Sequence, residues 1–448
     1  MTQWSAILSS SDKLALAASE AVDAIAQSVI TQDYKSAARK VIFESAYESA
    51  LLYGYLAISQ NDLAWATRAT ECLNQAIDEA AQSTYLGLFG GLTGLGWTVE
   101  HLSYLMNQLS FPGEAELSAS SRDDRDGLST EPEADQDLNV EIDLVVLRSL
   151  QKFTSDSAYD LISGLVGFGV YFMERLPRES AAQGIEAVFA HFEKLAQHTP
   201  SGITWYSGPE LLPEWQRQQC PNGYYNLGVA HGIPGIIQLI SEISATNIID
   251  QERSSRLLEG SVQWLMLQRR PLGSRSTFSS WIVPGEESSD SRLAWCYGDM
   301  GILAVLLQVA RRAGREDWHE CAKNILDHCL AWPPEDSGVG DAPLCHGAAG
   351  VAHIFNRIYH SEGDTRCLDA ALQWFERALA MRRTEGGVGG FFSLTRPQPS
   401  HGIVWEPSAA FLDGAVGVAL ALLAALTPVE PVWDRLLLLS GRSPAVEL

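Results

Sequence analysis

The sequence has few basic residues and no long apolar run. Its 448 residues include 31 Lys and Arg against 55 Asp and Glu, which gives a formal net charge of −24 at pH 7. Because such a surface repels phosphates and no basic patch offsets it, we expect no nucleic-acid partner. The most apolar stretch, Gly414 to Leu426, is too short to span a bilayer. The first residues lack a basic segment followed by an apolar core, so we expect no secretory signal.

Cysteine is also sparse, and no C-x-x-C pair is present. The seven cysteines are odd in number and scattered along the chain. This pattern is not that of a disulfide framework, and it favours a reducing, cytoplasmic setting. In that setting a cysteine with a function serves as a metal ligand or a nucleophile.

One segment differs from the rest of the chain in composition. Residues 112–143 are acidic and rich in Ser, and they almost lack large apolar side chains. Such a segment cannot bury enough apolar surface to offset its conformational entropy. We therefore predict a disordered surface insertion there.

A glycine-spaced motif, G-x-x-G followed by an apolar run, occurs six times. We number the motifs turn one to turn six by their first glycines: Gly91, Gly164, Gly232, Gly298, Gly347 and Gly414. Between the turns the apolar residues recur at helical intervals, and strand-like alternation is scarce. The runs after the turns are apolar on every side, so the six helices must bury one another. We predict an all-α fold, one α/α toroid domain over residues 1–448, in which helical hairpins form a double ring with the glycine turns at one end.

The residues just before these glycines differ from turn to turn. Turn two has Asp160, turn three His231, turn four Cys296 and Tyr297, and turn five Cys345 and His346. Cys296 and Cys345 each stand two residues before their glycine, so the shared end of the ring brings them together. Two cysteines and a histidine without a fourth protein ligand are typical of a catalytic zinc site with an open position.

Other cysteines and the loop aromatics allow simpler interpretations. The segment "HECAKNILDHC", with His319, Cys321, His328 and Cys329, falls within an amphipathic outer helix and is interpreted as ordinary helix surface. Cys72, Cys220 and Cys367 have no partners in register and are interpreted as packing residues. Aromatic residues are frequent in the loops before turns three, four and six: Trp205, Tyr206, Trp215, Tyr224, Tyr225, Trp281, Phe391, Phe392 and Trp405. They either line a peptide groove or pack the loops down.

Three of these motifs resemble those of the lanthionine synthetase C-like cyclases. They are "AHGIPG" in turn three, "WCYG" in turn four and "CHG" in turn five, and the six glycine turns extend the resemblance from about residue 10 to residue 430. The "GDMG" of turn four lacks the proline common there in the family. By this resemblance Cys296, Cys345 and His346 match the zinc ligands. His231, Asp160, Arg292 and Tyr297 match the family's other active-site positions.

The resemblance also implies a reaction and its partners. A peptide cysteine thiol would add to dehydroalanine or dehydrobutyrine in the same dehydrated precursor peptide, with Zn²⁺ as cofactor. His231 would act as acid or base, and Arg292 would stabilise an enolate oxygen. Asp160 would orient His231 or pair with Arg292, and Tyr297 is a second candidate proton donor. The chain has no room for a fused dehydratase. A separate lanthipeptide dehydratase, and by family resemblance an exporter in a membrane-associated complex, are therefore expected.

Two further functions stay open at this point. One is a non-catalytic, zinc-bearing scaffold that binds glutathione, another thiol or a partner protein. The other, which the residues favour less, is a six-hairpin glycosidase that would need paired carboxylates at the mouth, drawn from Asp160, Asp299, Glu406 and Asp413. A glycosidase has no use for the cysteines, whereas His231, Asp160 and Arg292 beside the ligands favour catalysis.

Overall fold

The inner ring of the toroid is built from helices that begin at the glycine turns. This computed structural model describes residues 3–9, 12–31, 39–107, 137–395 and 402–441. The first glycine of each motif is the N-cap of an inner helix. These helices are α4 (Leu92–Met106), α6 (Leu165–Arg175), α9 (Ile233–Ser244), α11 (Asp299–Ala313), α13 (Ala348–Glu362) and α15 (Ala415–Leu426). Each packs against the next around the ring, so the predicted α/α toroid with its turns at one end is confirmed.

A seventh inner helix, α2 (Arg39–Gln60), closes the ring. It packs against α4 on one side and α15 on the other, and its residues from Ala50 to Ala57 include a continuous buried run. The expectation of six inner helices was therefore wrong by one. The seventh helix is not preceded by a G-x-x-G turn, the feature that marks the start of each of the other six in the sequence.

Amphipathic helices form the outer ring among the described residues. They are α1 (Lys13–Thr31), α3 (Leu63–Ala80), α5 (Val140–Gln151), α7 (Glu179–Leu195), α10 (Gln251–Met266), α12 (Glu316–Ala331) and α14 (Thr365–Ala380). α1 joins the two ends of the chain because it packs against α15, and the indole Nε1 of Trp4 donates to the carbonyl of Ala424. No helix in the described ranges is long and apolar enough to cross a membrane.

Short antiparallel ladders lie at the end that carries the turns. They pair β1 (Gln197–Thr199) with β2 (Gly202–Thr204), β3 (Tyr225–Asn226) with β4 (Trp281–Ile282), and β5 (Ser393–Thr395) with β6 (Val404–Glu406). A short helix, α8 (Glu214–Gln219), and 3₁₀ turns at Pro209–Leu211, Pro334–Asp336 and Val432–Leu437 complete the secondary structure of the described ranges. The β3–β4 and β5–β6 ladders hold the long loops before turns three, four and six.

The end of the predicted acidic insertion is part of the folded body. Residues 112–136 lie outside the described residues, whereas residues 137–143 are described and the loop prediction is wrong for them. Arg175, a fully buried residue of α6, pairs with Asp137 and Asp143, both at 2.7 Å. Asn139 is also buried, and its amide donates to the carbonyl of Gly96. Acidic composition alone did not reveal the buried cation that these carboxylates neutralise.

The C-terminal segment from Pro431 to Gly441 fills the centre of the ring. Trp433 and Leu436 to Leu439 are buried, and Gln308 of α11 donates to the carbonyl of Leu438. Asp434 accepts hydrogen bonds from Arg357 and His353 of α13, while Arg435 pairs with Glu174 of α6. This segment contacts helices around the ring and closes its centre. The side chains that converge at the glycine turns therefore meet solvent at that end of the toroid.

Candidate functional site

Backbone hydrogen bonds join neighbouring turns at the mouth of the toroid. The N–H of Phe89 donates to Ile162, that of Leu161 to Ala230, that of Cys296 to Cys345, and that of Cys345 to Leu412. These bonds link turn one to two, two to three, four to five, and five to six. Equivalent residues of successive repeats are therefore held side by side, which is why residues in register along the sequence become neighbours in space.

Two glycines allow the backbone to approach closely at turn four. Gly298 has φ +124°, and a Cβ there would lie 2.0 Å from the carbonyl oxygen of Arg292. Gly228, just before turn three, leaves no room for a Cβ because the carbonyl oxygen of Cys296 would be 2.3 Å away. Turns three and four therefore touch through glycine, and this contact brings His231 close to Cys296.

The three predicted ligands form one cluster. The Sγ atoms of Cys296 and Cys345 and a ring nitrogen of His346 all lie within 4.8 Å of one another. Among the described residues this is the one group of three or more His, Cys, Asp or Glu side chains arranged to hold a metal ion. Two soft thiolates and an imidazole are the donor set that zinc prefers, and with three protein ligands a fourth position stays open.

Cys296 and Cys345 shift each other's pKa in opposite directions. A hydrogen bond from Cys345, the charge-stabilising contact with His346 and the positive charge of Arg292 together lower the pKa of Cys296 well below its usual range. The thiolate of Cys296 in turn raises the pKa of Cys345, to which burial also contributes. This environment favours the thiolate of Cys296, the form that ligates a metal.

Each ring nitrogen of His346 faces a carboxylate. Nδ1 is buried, has no hydrogen-bond partner within the described ranges, and lies 3.6 Å from Oδ1 of Asp413. Nε2 lies 3.9 Å from Oδ2 of Asp341, a buried residue whose other carboxylate oxygen also lacks a partner there. A buried nitrogen without a partner is what a site prepared for a metal ion requires, so the residues present fit zinc.

His231 and Asp160 form an ion-paired couple next to the cluster. Nδ1 of His231 lies 2.5 Å from Oδ2 of Asp160, whose Oδ1 accepts the backbone N–H and the hydroxyl of Ser163. Burial lowers the pKa of His231, but the hydrogen bond and charge of Asp160 outweigh it, so the pKa is raised from its ordinary value. Of the two roles considered for Asp160, the geometry places it against His231.

Tyr297 and Arg292 complete the predicted set. The Tyr297 ring stacks against His231 with 6.0 Å between ring centroids, and its hydroxyl accepts a hydrogen bond from Asn226. Burial raises the pKa of Tyr297 to about 12, so the phenol stays protonated at neutral pH. Arg292 makes no salt bridge with the described residues, and its charge acts on Cys296 and Cys345.

The competing clusters have structural partners. His319 pairs with Glu362, and His328 bonds the carbonyl of Arg275. Asp299, a carboxylate that a glycosidase would need, is buried and accepts the backbone N–H groups of Thr277 and Phe278. The loop aromatics range from buried through partly buried to exposed. Trp205, Tyr224 and Phe391 are buried, whereas Trp215 and Trp405 are 42% and 40% exposed.

Asp341 is the residue of this site that sequence reasoning missed. It stands six residues before Gly347, as Arg292 does before Gly298, so the register of the repeats marks both positions. Its Oδ2 also accepts the backbone N–H of Leu394, which ties strand β5 to turn five. An isolated Asp in a loop carries no other signal.

The fold and the cluster define an α/α toroid with a candidate metal centre at its mouth. The chain belongs to the family described as lanthionine synthetase C-like protein, whose model matches residues 49–438. This match confirms the resemblance noted in the turn motifs.

Individual relatives are distant. Glutathione S-transferase LANCL1 of Danio rerio is 25% identical over 199 residues, which are 44% of this chain and 43% of that protein. Nisin biosynthesis protein NisC of Lactococcus lactis subsp. lactis is 23% identical over 275 residues, 56% of this chain and 63% of that protein. In both cases the alignment spans less than two thirds of the relative's length.

A solved structure, nisin cyclase, shares the fold. It superimposes with a TM-score of 0.66 over 88% of this chain and 90% of its own, at 18% sequence identity. At that identity the likeness establishes the toroid architecture alone.

Proposed function

We propose that this protein is a zinc-dependent cyclase that closes lanthionine and methyllanthionine rings in a dehydrated precursor peptide. The observation that carries the proposal is the convergence of Cys296, Cys345 and His346 beside the His231–Asp160 pair. Ligands alone would suit a structural metal. A metal-ligand set with an open position next to an ion-paired histidine suits catalysis.

A zinc ion held by Cys296, Cys345 and His346 would lower the pKa of the substrate cysteine, so that the thiolate is available near neutral pH. The remaining roles belong to the chain. The substrate sulfur forms a bond to the β-carbon of dehydroalanine or dehydrobutyrine, and the π electrons of the double bond move toward the adjacent carbonyl as an enolate. Arg292, which has no salt bridge to a described carboxylate, stabilises the negative oxygen.

His231 completes the reaction by moving a proton. With Nδ1 held by Asp160, Nε2 is the ring atom free to exchange a proton with the substrate. The proton lost by the thiol returns to the α-carbon, so atoms balance and the product is an isomer of the substrate. Tyr297, protonated at neutral pH, is the second proton donor within reach of the pair.

The proposed function also implies which partners the protein needs and where it acts. A peptide that already contains dehydroalanine or dehydrobutyrine must be supplied by a separate dehydratase, and its ring-bearing product requires export. All seven cysteines are free, which supports a cytoplasmic setting. The protein would dock there on a membrane-bound exporter.

Thiol counting tests the activity. Because cyclisation leaves the mass unchanged, a dehydrated, cysteine-containing peptide is incubated with the protein and its remaining thiols are then alkylated. With zinc-loaded protein, fewer peptide thiols should be alkylated. Protein stripped of zinc should leave all thiols open to alkylation, and restoring zinc should restore the protection. Cys345→Ala should give no protection. Full alkylation with every dehydrated peptide tried would overturn the cyclase proposal.

A second function is favoured by one of the comparisons. Similarity to a protein named glutathione S-transferase supports a site that binds glutathione or a related thiol without closing rings. This alternative predicts that zinc-loaded protein binds glutathione, as measured by calorimetry, while dehydrated peptides stay fully alkylated. Ring closure in the thiol-counting assay would decide against it.

A further inference from the structure

A continuous row of aromatic rings leads from solvent to His231. Trp215 on α8 contacts Trp281 on β4 edge to face at 6.4 Å between centroids, and Trp281 contacts Tyr297 at 6.1 Å. Tyr297 in turn stacks on His231 at 6.0 Å. We call Trp215, Trp281 and Tyr297 the aromatic ledge. Its three centroid separations together correspond to at most about six extended peptide residues, at roughly 3.3 Å per residue.

Hydrogen bonds beneath the ledge hold it in place. Asn226, which pairs with Trp281 in the β3–β4 ladder, donates from its amide to the hydroxyls of both Tyr224 and Tyr297. Tyr224 is buried, stacks on Trp281, and donates to Gln216, the residue next to Trp215. Tyr297 is therefore held by a hydrogen bond and Trp281 by strand pairing and stacking, which lowers the entropic cost of binding.

The exposure of Trp215 distinguishes it from an anchor that merely packs a loop. Trp205, from the same stretch of chain, is fully buried and its Nε1 donates to the carbonyl of Phe192. Trp215 is instead 42% exposed, on a helix whose neighbouring Gln216 is buried. A solvent-facing indole in contact with a row of rings that leads to a reaction centre is typical of a residue that contributes strongly to binding.

The charges near the ledge indicate which ligand fits. Arg217 lies two residues from Trp215, but its guanidinium is paired with Glu214. Glutathione carries two carboxylates and no large apolar side chain, so the ledge offers it little. An extended peptide with an aromatic or branched apolar side chain would cover the indoles and, along the row of rings, place a residue a few positions away at His231.

We propose that the aromatic ledge is a specificity subsite that binds an aromatic or branched apolar side chain of the peptide substrate, up to about six residues from the dehydrated residue. This inference rests on the proposed cyclase function and names the substrate class that the site prefers. Trp215 and Trp281 act by positioning the peptide and take no part in the chemistry.

Binding without turnover tests the subsite apart from the activity. The probes are two short peptides that contain dehydroalanine and have Ser in place of Cys, one with Leu and one with Ser about five residues from the dehydroalanine. Their dissociation constants are measured by fluorescence polarisation for zinc-loaded wild type, Trp215→Ala, Trp215→Phe and Trp405→Ala. Trp405 is the matched control, since it is equally exposed but lies on the β5–β6 hairpin.

The expected result is a selective loss. Trp215→Ala should weaken binding of the Leu peptide about 5- to 30-fold, the usual effect of truncating one well-placed aromatic contact, and that of the Ser peptide less than about 2-fold. Trp215→Phe should retain most of the affinity, and Trp405→Ala should match wild type. Equal losses for both peptides, or no loss, in a protein that cyclises its substrates would overturn the subsite alone. Selective binding of the Leu peptide by a protein that closes no rings would overturn the cyclase proposal and leave the subsite standing.

Discussion

The backbone N–H of Cys296 donates to the carbonyl oxygen of Cys345 at 3.2 Å. The two candidate ligands are thus neighbours through main-chain bonding, and their side chains converge because the turns that carry them are joined. A site built in this way does not depend on its ligand side chains for its position. We therefore expect the fold to survive the loss of a ligand side chain.

Removing a ligand should abolish metal binding and leave the fold intact. Cys345→Ala keeps the backbone hydrogen bonds of turn five but removes one of three donors, so bound zinc should fall from about one equivalent to near none. Elemental analysis of purified protein gives the metal content, and far-ultraviolet circular dichroism reports the helices. Cys329→Ala is the control: it alters a buried cysteine outside the cluster and should retain zinc at a cost of about 1 kcal/mol in stability. Zinc retained by Cys345→Ala would contradict the ligand assignment.

Asp341 should strengthen metal binding through His346. Its carboxylate faces Nε2 at 3.9 Å and so favours the tautomer that leaves the buried Nδ1 free for the metal. Asp341→Asn keeps an oxygen for the N–H of Leu394 but loses the charge, and zinc affinity should fall roughly 10- to 100-fold. Competition with a chromophoric chelator measures this. Asp336→Asn, a change on the 3₁₀ turn Pro334–Asp336 in the same loop, should have no effect, and an unchanged affinity in Asp341→Asn would rule out the positioning role.

Asp160 should set the pH range in which His231 works. The carboxylate raises the pKa of His231, so the protonated ring persists to higher pH than that of an ordinary histidine. If the imidazolium donates the proton to the α-carbon, activity is retained below this raised pKa and declines as pH rises through it. Asp160→Asn lowers the pKa, and the decline should begin at lower pH.

Two measurements check the pairing of His231 with Asp160. The pH profile of kcat/KM should move to lower pH in Asp160→Asn, and NMR titration of the ring should follow the same shift. His231→Asn with zinc retained should stop or misdirect ring closure. Normal rings from that variant would exclude His231 as the proton carrier.

Asp434 should control acid stability from the centre of the ring. Burial disfavours its charge, but Arg357 and His353 outweigh burial and lower its pKa to about 2. A carboxyl with a depressed pKa stabilises the fold fully above its unfolded value near 4, and that contribution, roughly 2 kcal/mol, is lost as pH falls toward 2. Asp434→Asn should reduce the free energy of unfolding by about 3–5 kcal/mol at neutral pH, because Arg357 is left partly unpaired. Urea titrations of wild type and Asp434→Asn at several pH values measure both effects on the free energy of unfolding. If acid reduced that free energy equally in the two proteins, the role of Asp434 in acid stability would be contradicted.

Gly298 should tolerate no side chain. Gly298→Ala places a Cβ 2.0 Å from the carbonyl of Arg292 at a φ of +124°, so the turn must shift and carry Arg292 with it. We expect a loss of more than about 2 kcal/mol in stability. Gly314→Ala is the matched control, since Gly314 has φ +63° but open space around it, and should cost only about 1 kcal/mol. Comparing the thermal unfolding of Gly298→Ala and Gly314→Ala separates the destabilisation caused by crowding from that caused by backbone strain.

Much of the fold could be predicted because its repeat is local. A G-x-x-G turn followed by an all-apolar run marks each inner helix, and the first glycine proved to be the N-cap in every motif. Helix α2 was missed because it is apolar but has no such turn. The end of the acidic segment was mispredicted since the pairing of Asp137 and Asp143 with Arg175 joins residues that are distant in sequence.

The candidate site likewise has a part that the sequence predicts and a part that only the tertiary structure decides. Which residue types meet at the mouth follows from the sequence, since repeats in register must place equivalent residues side by side once the ring closes. Cys296, Cys345, His346, His231 and Asp160 could be named for that reason. Side-chain partners do not follow from register: that Asp160 holds His231, that Asp341 faces His346, and that Trp215 stays exposed while Trp205 is buried depend on contacts between loops. Local sequence encodes helices and turns, but only the closed toroid decides which loops touch, because those contacts join residues tens to hundreds of positions apart.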